Sequence, residues 1–169
     1  MRFKCGRCGE YHEGLPDVGF DAPFYYHTVP EAERERRCTL TSDFCSIDGE
    51  DYFIRGCLEI PILERSDVFA WGVWMSVSAV NFNRYKDVFD DRFHSHVGPF
   101  VGWLSNQLPT YPETLTLKIR AHLRDEDARP AFDLEPTEHP LAIDHRNGIS
   151  IDKLREIYEV TLHDTTRDP

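Results

Sequence analysis

The sequence predicts an α+β fold: a largely antiparallel sheet with flanking helices and an N-terminal zinc-knuckle-like segment. Three observations predict it. Strand-like runs gather between residues 39 and 135, while helical patterns sit near the ends and in one insertion. Residues 115–124 alternate apolar and polar side chains without a break, the mark of a sheet with one buried face. The strands are not separated by regular helices, as the repeating βαβ unit of a doubly wound fold requires.

In chain order, residues 1–15 form a cysteine segment. Residues 17–30 hold Phe20, Phe24, Tyr25 and Tyr26 among prolines, and read as a loop packed over the core. Pro30 then opens a short helix to Arg37, with acids in its first turn and arginines in its last, as the helix dipole prefers. Phe44 to Ile47 is a strand, and Asp48-Gly49 is a hairpin turn signal. Tyr52, Ile54, Leu58, Ile60 and Ile62 fall on even positions of one long strand. Phe69 to Val77 is the next, carrying Trp71 and Trp74. Phe82, Tyr85 and Phe89, three and four apart, predict a helical insertion over 79–90.

Residues 94–112 are rich in proline and glycine and read as loop, with a short strand at Phe100-Val101-Gly102-Trp103. The alternating strand 115–124 follows, and residues 131–134 are expected to pair beside it. Ser150 caps a last helix, spanning 150–163, with an apolar stripe of Ile151, Leu154, Ile157, Tyr158 and Leu162. All of this fits one domain over 1–169. Trp71, Trp74 and Trp103 are expected in the core or at its rim.

With 30 acidic and 19 basic residues the chain carries a formal charge of −11. That balance argues against nucleic acid, whose binding depends on Lys and Arg displacing counterions, and against anionic membranes. It permits a basic protein partner, whose approach the field would steer, with the bland alternative that the acidity only keeps the protein soluble. No run of about twenty apolar residues is present to span a bilayer. Cys5 follows Met1 too closely for a signal peptide's apolar region, so the expected compartment is the cytoplasm. In that reducing setting the five cysteines are expected as metal ligands or buried apolar groups.

The sharpest motif is Cys5-Gly6-Arg7-Cys8-Gly9. Two thiolates separated by two residues can grip one tetrahedral ion, and the following glycine tolerates the tight turn. There is no second such pair. The expected zinc set is therefore Cys5, Cys8, Cys45 and His12, with Cys38 able to replace His12. Cys45 stands at a strand start, where a side chain can reach outward, and Cys57 reads as a core residue. Four protein ligands would make the zinc structural, leaving no open position for water.

Other chemistry is thinner. His94-Ser95-His96, preceded by Asp90 and Asp91, could hold a metal, with the bland alternative of a solvated loop. His139 and His145 near Glu138 and Asp144 could do acid–base work, or simply cap a helix. Arg55 and Glu59 occupy the odd face of their strand and could line a groove with Lys118, Arg120 and His122. A cross-strand ion pair is the simpler account. No serine sits in a nucleophile elbow, and there is no phosphate-binding glycine loop.

Several stretches together resemble one bacterial family. They are the cysteine segment with His12, Leu40-Thr41-Ser42-Asp43-Phe44-Cys45-Ser46-Ile47-Asp48, Arg55-Gly56-Cys57-Leu58-Glu59-Ile60-Pro61-Ile62, Trp71-Gly72-Val73-Trp74, Gly98-Pro99-Phe100-Val101-Gly102-Trp103-Leu104 and residues 134–142. The chain is similar over nearly its whole length to domain of unknown function 2199. That resemblance implies a bacterial protein and contributes no catalytic residues. Two functions compete. The first is a non-enzymatic interaction protein stabilised by zinc, such as an immunity protein inhibiting a basic toxin. The second is a metal-dependent hydrolase using His94 and His96, or Glu59, His122 and His139.

Overall fold

A computed structural model describes residues 17–161, together with Gly9 and the backbone of Arg2–Lys4 and Tyr11–Glu13. Strands β1 (Arg2–Lys4) and β2 (Tyr11–Glu13) form an antiparallel pair of their own, with Lys4 opposite Tyr11 and Phe3 opposite His12. Cys5, Cys8 and the side chain of His12, and with them the predicted knuckle, lie outside the described residues, as does Leu162.

The segment 17–30 is more ordered than the loop expected of it. It holds β3 (Val18–Gly19) and α1 (Phe24–Thr28). Pro23 starts α1 from an extended conformation, and the Val29 N–H donates to the Tyr26 carbonyl to end it. The aromatics anchor this arm as expected: Phe20 stacks on Trp71 at 6.3 Å and Tyr25 on Phe53 at 5.8 Å. Helix α2 (Glu31–Arg37) follows from Pro30 with the predicted charge order.

Next come β4 (Cys38–Leu40), β5 (Phe44–Ile47), β6 (Asp51–Pro61) and β7 (Val68–Val77). The β5–β6 turn places Asp48 and Gly49 at φ of 54° and 68°, and Glu50 N–H closes it onto the Ile47 carbonyl at 3.0 Å. Ser78 caps α3 (Ala79–Asp87), accepting from Asn81 N–H. Then follow β8 (Phe100–Leu104), β9 (Lys118–His122) and β10 (Ala131–Leu134), and finally α4 (Pro140–Asn147) and α5 (Ile151–Thr161). Strand β9 is shorter than the alternation suggested, because Leu117 N–H turns back to the Thr114 carbonyl. Helix α4 was not expected. Its apolar face is only Leu141 and Ala142, too small a stripe to stand out in the sequence.

The fold is mixed α+β, and its sheet closes into a small barrel. Strand β6 pairs with β7, β7 with β8, β8 with β9, β9 with β10, and β10 returns to β6. All of these are antiparallel except the last, where Ala131 lies opposite Cys57 in parallel and Cys57 N–H donates to the Pro130 carbonyl at 2.8 Å. Gly56 permits this closure. A Cβ there would stand 2.7 Å from the Pro130 oxygen and would run into the Phe132 ring. β5 and β4 continue outward from β6, and β3 lies parallel to β7.

Two apolar clusters fill the structure. The larger draws Ile54, Leu58 and Ile60 from β6, Phe69, Trp71 and Val73 from β7, and Phe132 from β10. Helices α3, α4 and α5 add Tyr85, Leu141, Leu154 and Tyr158 to it. The smaller one holds Val29, Cys45, Ile47, Phe53 and Trp74, beneath the arm of residues 17–30. Phe53 is therefore buried although it lies on the odd face of β6. Trp71 and Trp74 are fully buried, whereas Trp103 is 53% exposed. No helix among the described residues is long and apolar enough to cross a membrane.

Candidate functional site

The cysteines divide by face. Cys38 lies opposite Ile47 and Leu40 opposite Cys45 on the β4–β5 ladder, so the alternation of strands puts Cys38 and Cys45 on one side of it. Cys45 does not reach outward. It is 0% exposed within the smaller cluster, and burial pushes its thiol up to about 12. Cys57 is not a core residue. It is half-buried on the odd face of β6, between Arg55 and Glu59. Among the described residues no group of three or more His, Cys, Asp or Glu is arranged to hold a metal ion.

The odd face of β6 is organised as ion pairs. Glu59 accepts from Arg124 at 2.6 Å, and Arg124 also donates to the Arg129 carbonyl at 2.6 Å. Arg129 in turn donates from Nε to Asp43 at 2.7 Å. Arg55 lies over the Trp74 ring and with Arg129 shares the Ser42 carbonyl. Desolvation by burial lowers its pKa, and its buried Nε has no hydrogen-bond partner among the described residues. Glu59 is thus ion-paired, though with Arg124 beyond the end of β9 and not across neighbouring strands as expected. His122 pairs with Asp133 at 3.1 Å, and His139 caps α4 by accepting from Leu141 N–H. Glu59, His122 and His139 are each engaged by a different partner.

His94 and His96 separate as well. His96 is exposed, while His94 is 2% exposed and lines a cavity of about 410 Å³. Its neighbours there come from three parts of the chain. Asp43 stands at the start of β5, Tyr85, Phe89 and Asp90 at the end of α3, and Asp127, Ala128 and Arg129 on the β9–β10 loop. One carboxylate holds this arrangement together. Asp125 accepts from His94 N–H at 2.8 Å, Ser95 N–H at 2.7 Å and the Ser95 hydroxyl at 2.9 Å. The Ser95 backbone bond, then its hydroxyl bond, hold the Asp125 carboxyl below its usual range. Glu126 N–H reaches the Arg92 carbonyl at 2.9 Å, tying the two loops a second time.

The ring of His94 has a defined polarity. Nδ1 lies 2.7 Å from the Asp91 carbonyl, which can only accept, so Nδ1 carries the proton. In the neutral ring Nε2 is then a bare acceptor. It is buried and has no hydrogen-bond partner among the described residues. An unmet buried polar atom costs roughly 1–3 kcal/mol, and His94 Nε2 shares that state with Arg55 Nε, Trp71 Nε1 and Thr110 Oγ1 among the described residues. Burial, then the charge of Asp43, push the Tyr85 phenol above its ordinary value, keeping it protonated beside the cavity.

Of the cavity's members, the sequence singled out only His94 and Asp90. Tyr85 and Phe89 were read as part of a helix stripe, and Asp43, Asp127 and Arg129 carry no local signal. Residues 4–149 match the family described as "Uncharacterized protein conserved in bacteria (DUF2199)", and the chain belongs to it. No curated protein and no solved structure matches the chain.

Proposed function

We propose that this member of the family is a non-enzymatic binding protein for a basic protein partner, with a structural zinc at its N-terminal segment. The observation that carries the first part is an acidic lip formed by two facing loops. Residues 87–94 and 125–129 hold six carboxylates against two guanidinium groups. Both guanidinium groups are already engaged, Arg92 with Glu126 and Arg129 with Asp43. Asp87, Asp90, Asp91 and Asp127 are exposed, and Phe93 stands among them at 62% exposure, an aromatic anchor inside an acidic field. Complementary charge of this kind raises association rates and fixes orientation, while an aromatic supplies buried area.

The test is calorimetric titration with an arginine-rich peptide, at about 0.05 and 0.3 M salt, against a glutamate-rich control of equal length. Salt-sensitive binding of the basic peptide alone is expected, since screening shortens the reach of exposed charges. The triple variant Asp87→Asn, Asp91→Asn, Glu126→Gln should weaken it. Equal binding of both peptides, or none, would refute the reading.

The zinc part is supported by Cys38 and Cys45 sharing one side of the β4–β5 ladder. Cys45 is buried there and Cys38 half-buried beside it, so Cys45 with either His12 or Cys38 would complete a set of four with Cys5 and Cys8. Elemental analysis should find one zinc per chain, lost in Cys5→Ser and in Cys45→Ser. Full retention in both variants would sink the clasp.

A further inference from the structure

We propose that the groove on the outer face of β8, β9 and β10 binds a small organic carboxylate, with Arg120 holding its oxygens and Val101 and Pro136 covering its apolar body. This goes beyond the binding of a basic partner and uses a different part of the surface. The groove lies toward the opposite end of the β9–β10 hairpin from the 125–129 loop of the acidic lip. Its volume is about 400 Å³, the size of a pocket for a small molecule. Val101 lies opposite Arg120, and Arg120 opposite Asp133, in a row across the three strands. Lys118 stands two residues along the same face of β9. Val101, Lys118, Arg120, Asp133, Glu135 and Pro136 are all exposed, so every group that would touch the ligand is open to it.

The bonding of the walls leaves one group over. Lys118 and Glu135 pair at 3.5 Å, and Asp133 stands 3.1 Å from Nε2 of His122 and 3.8 Å from Nε2 of His145. The Arg120 guanidinium has no hydrogen-bond or ion-pair partner among the described residues. It therefore offers a planar fork of N–H donors, which a carboxylate meets with two parallel bonds. Two cations and two carboxylates leave the walls neutral, on a chain of formal charge −11. A dianion such as a phosphate monoester would be repelled by that chain, whereas one guanidinium matches a single negative charge. An exposed ion contact contributes little by itself in water. The body of the ligand has to add to it, and Val101, 47% exposed, provides apolar surface directly beside the guanidinium. A carboxylate on a short alkyl chain or an aromatic ring meets both demands.

The probe is 3-phenylpropionate, titrated into the full chain and followed by NMR of the backbone amides and the arginine Nε–H groups. 3-Phenylpropylamine, 3-phenylpropanol and acetate at equal ionic strength are the controls, and phenyl phosphate tests the dianion. Saturable shifts are expected at Val101 and at the Nε–H of Arg120 with phenylpropionate, and about tenfold weaker binding of acetate. Arg120→Gln should weaken phenylpropionate about tenfold, and Arg120→Lys by less, since the charge stays while the fork is lost. Val101→Ser should cost about threefold. Both positions are exposed, so these variants should keep the fold, which the amide spectrum would verify.

No saturable shift with phenylpropionate would overturn the proposal. So would equal binding of the amine or the alcohol, unchanged binding in Arg120→Gln, or a preference for phenyl phosphate. Acetate binding as tightly as phenylpropionate would leave an adventitious ion only, and would overturn it too. The triple variant of the acidic lip, Asp87→Asn, Asp91→Asn, Glu126→Gln, should bind phenylpropionate as wild type does. Loss of binding there would place the response outside the groove and refute the assignment.

Discussion

Asn106 is 2% exposed and spans two parts of the chain with both ends of its amide. Its oxygen accepts from the Trp74 backbone N–H at 2.7 Å, and its nitrogen donates to the Ala22 carbonyl at 3.0 Å. The first bond serves a barrel strand, and the second holds the arm of residues 17–30. Asn106→Ala would leave two buried groups without partners, at roughly 1–3 kcal/mol each. Asn106→Asp keeps an acceptor for Trp74 but no donor for Ala22, and should selectively release the arm. Hydrogen exchange would distinguish them: faster exchange across both segments in Asn106→Ala, and mainly at the arm in Asn106→Asp. Uniform protection in both variants would show that the clamp is dispensable. The local sequence Ser105-Asn106-Gln107 gives no sign of this role, because both partners of Asn106 are distant along the chain.

At the level of elements, the glycines decide how closely strands approach. A Cβ at Gly102 would run into the Ser76 carbonyl and lie 2.8 Å from the Met75 side chain. Gly56 stands under Phe132 in the same way. Gly56→Ala and Gly102→Ala should each cost about 1–3 kcal/mol or more, since strands can only escape the overlap by separating. Denaturant melts should show lower midpoints in both; unchanged midpoints would mean the ladders yield more easily than packed sheets do. These glycines also mark where sequence reading stopped. Alternation identified β6 and β9, and Asp48-Gly49 identified the turn from β5 to β6, because those signals are local. Closure of the barrel by β10 onto β6 depends on a parallel pairing between Ala131 and Cys57, which no periodicity encodes. The candidate site was harder still, since it assembles from Asp43, the end of α3 and the 125–129 loop.

For the molecule as a whole, charge makes stability depend on pH in one direction. Burial lowers the pKa of His145 from 6.5, partly opposed by Asp133, and burial and Arg34 lower that of His27. Below pH 6.5 the unfolded chain therefore takes up protons that the folded chain resists, and stability falls as pH drops through that window. A second loss is expected below the ordinary carboxyl value of 3.8, as Asp125 and Asp48, whose pKa values are depressed by hydrogen bonds, become protonated. Urea titrations at pH 7, 5.5 and 3.5 should give successively lower midpoints. In His27→Gln/His145→Gln the first step should shrink while the second persists. An increase in stability between pH 7 and 5.5 would contradict these assignments.

The parallel seam joins β10 to β6 through one residue pair, and the same short stretch of chain delivers Arg129 to the cavity wall. Whatever occupies that cavity would therefore brace the seam. Cys57 sits at the seam, half-buried and with its thiol pushed up by burial. Its rate of alkylation, followed on the tryptic peptide that contains it, should rise when the Ala131–Cys57 pairing loosens.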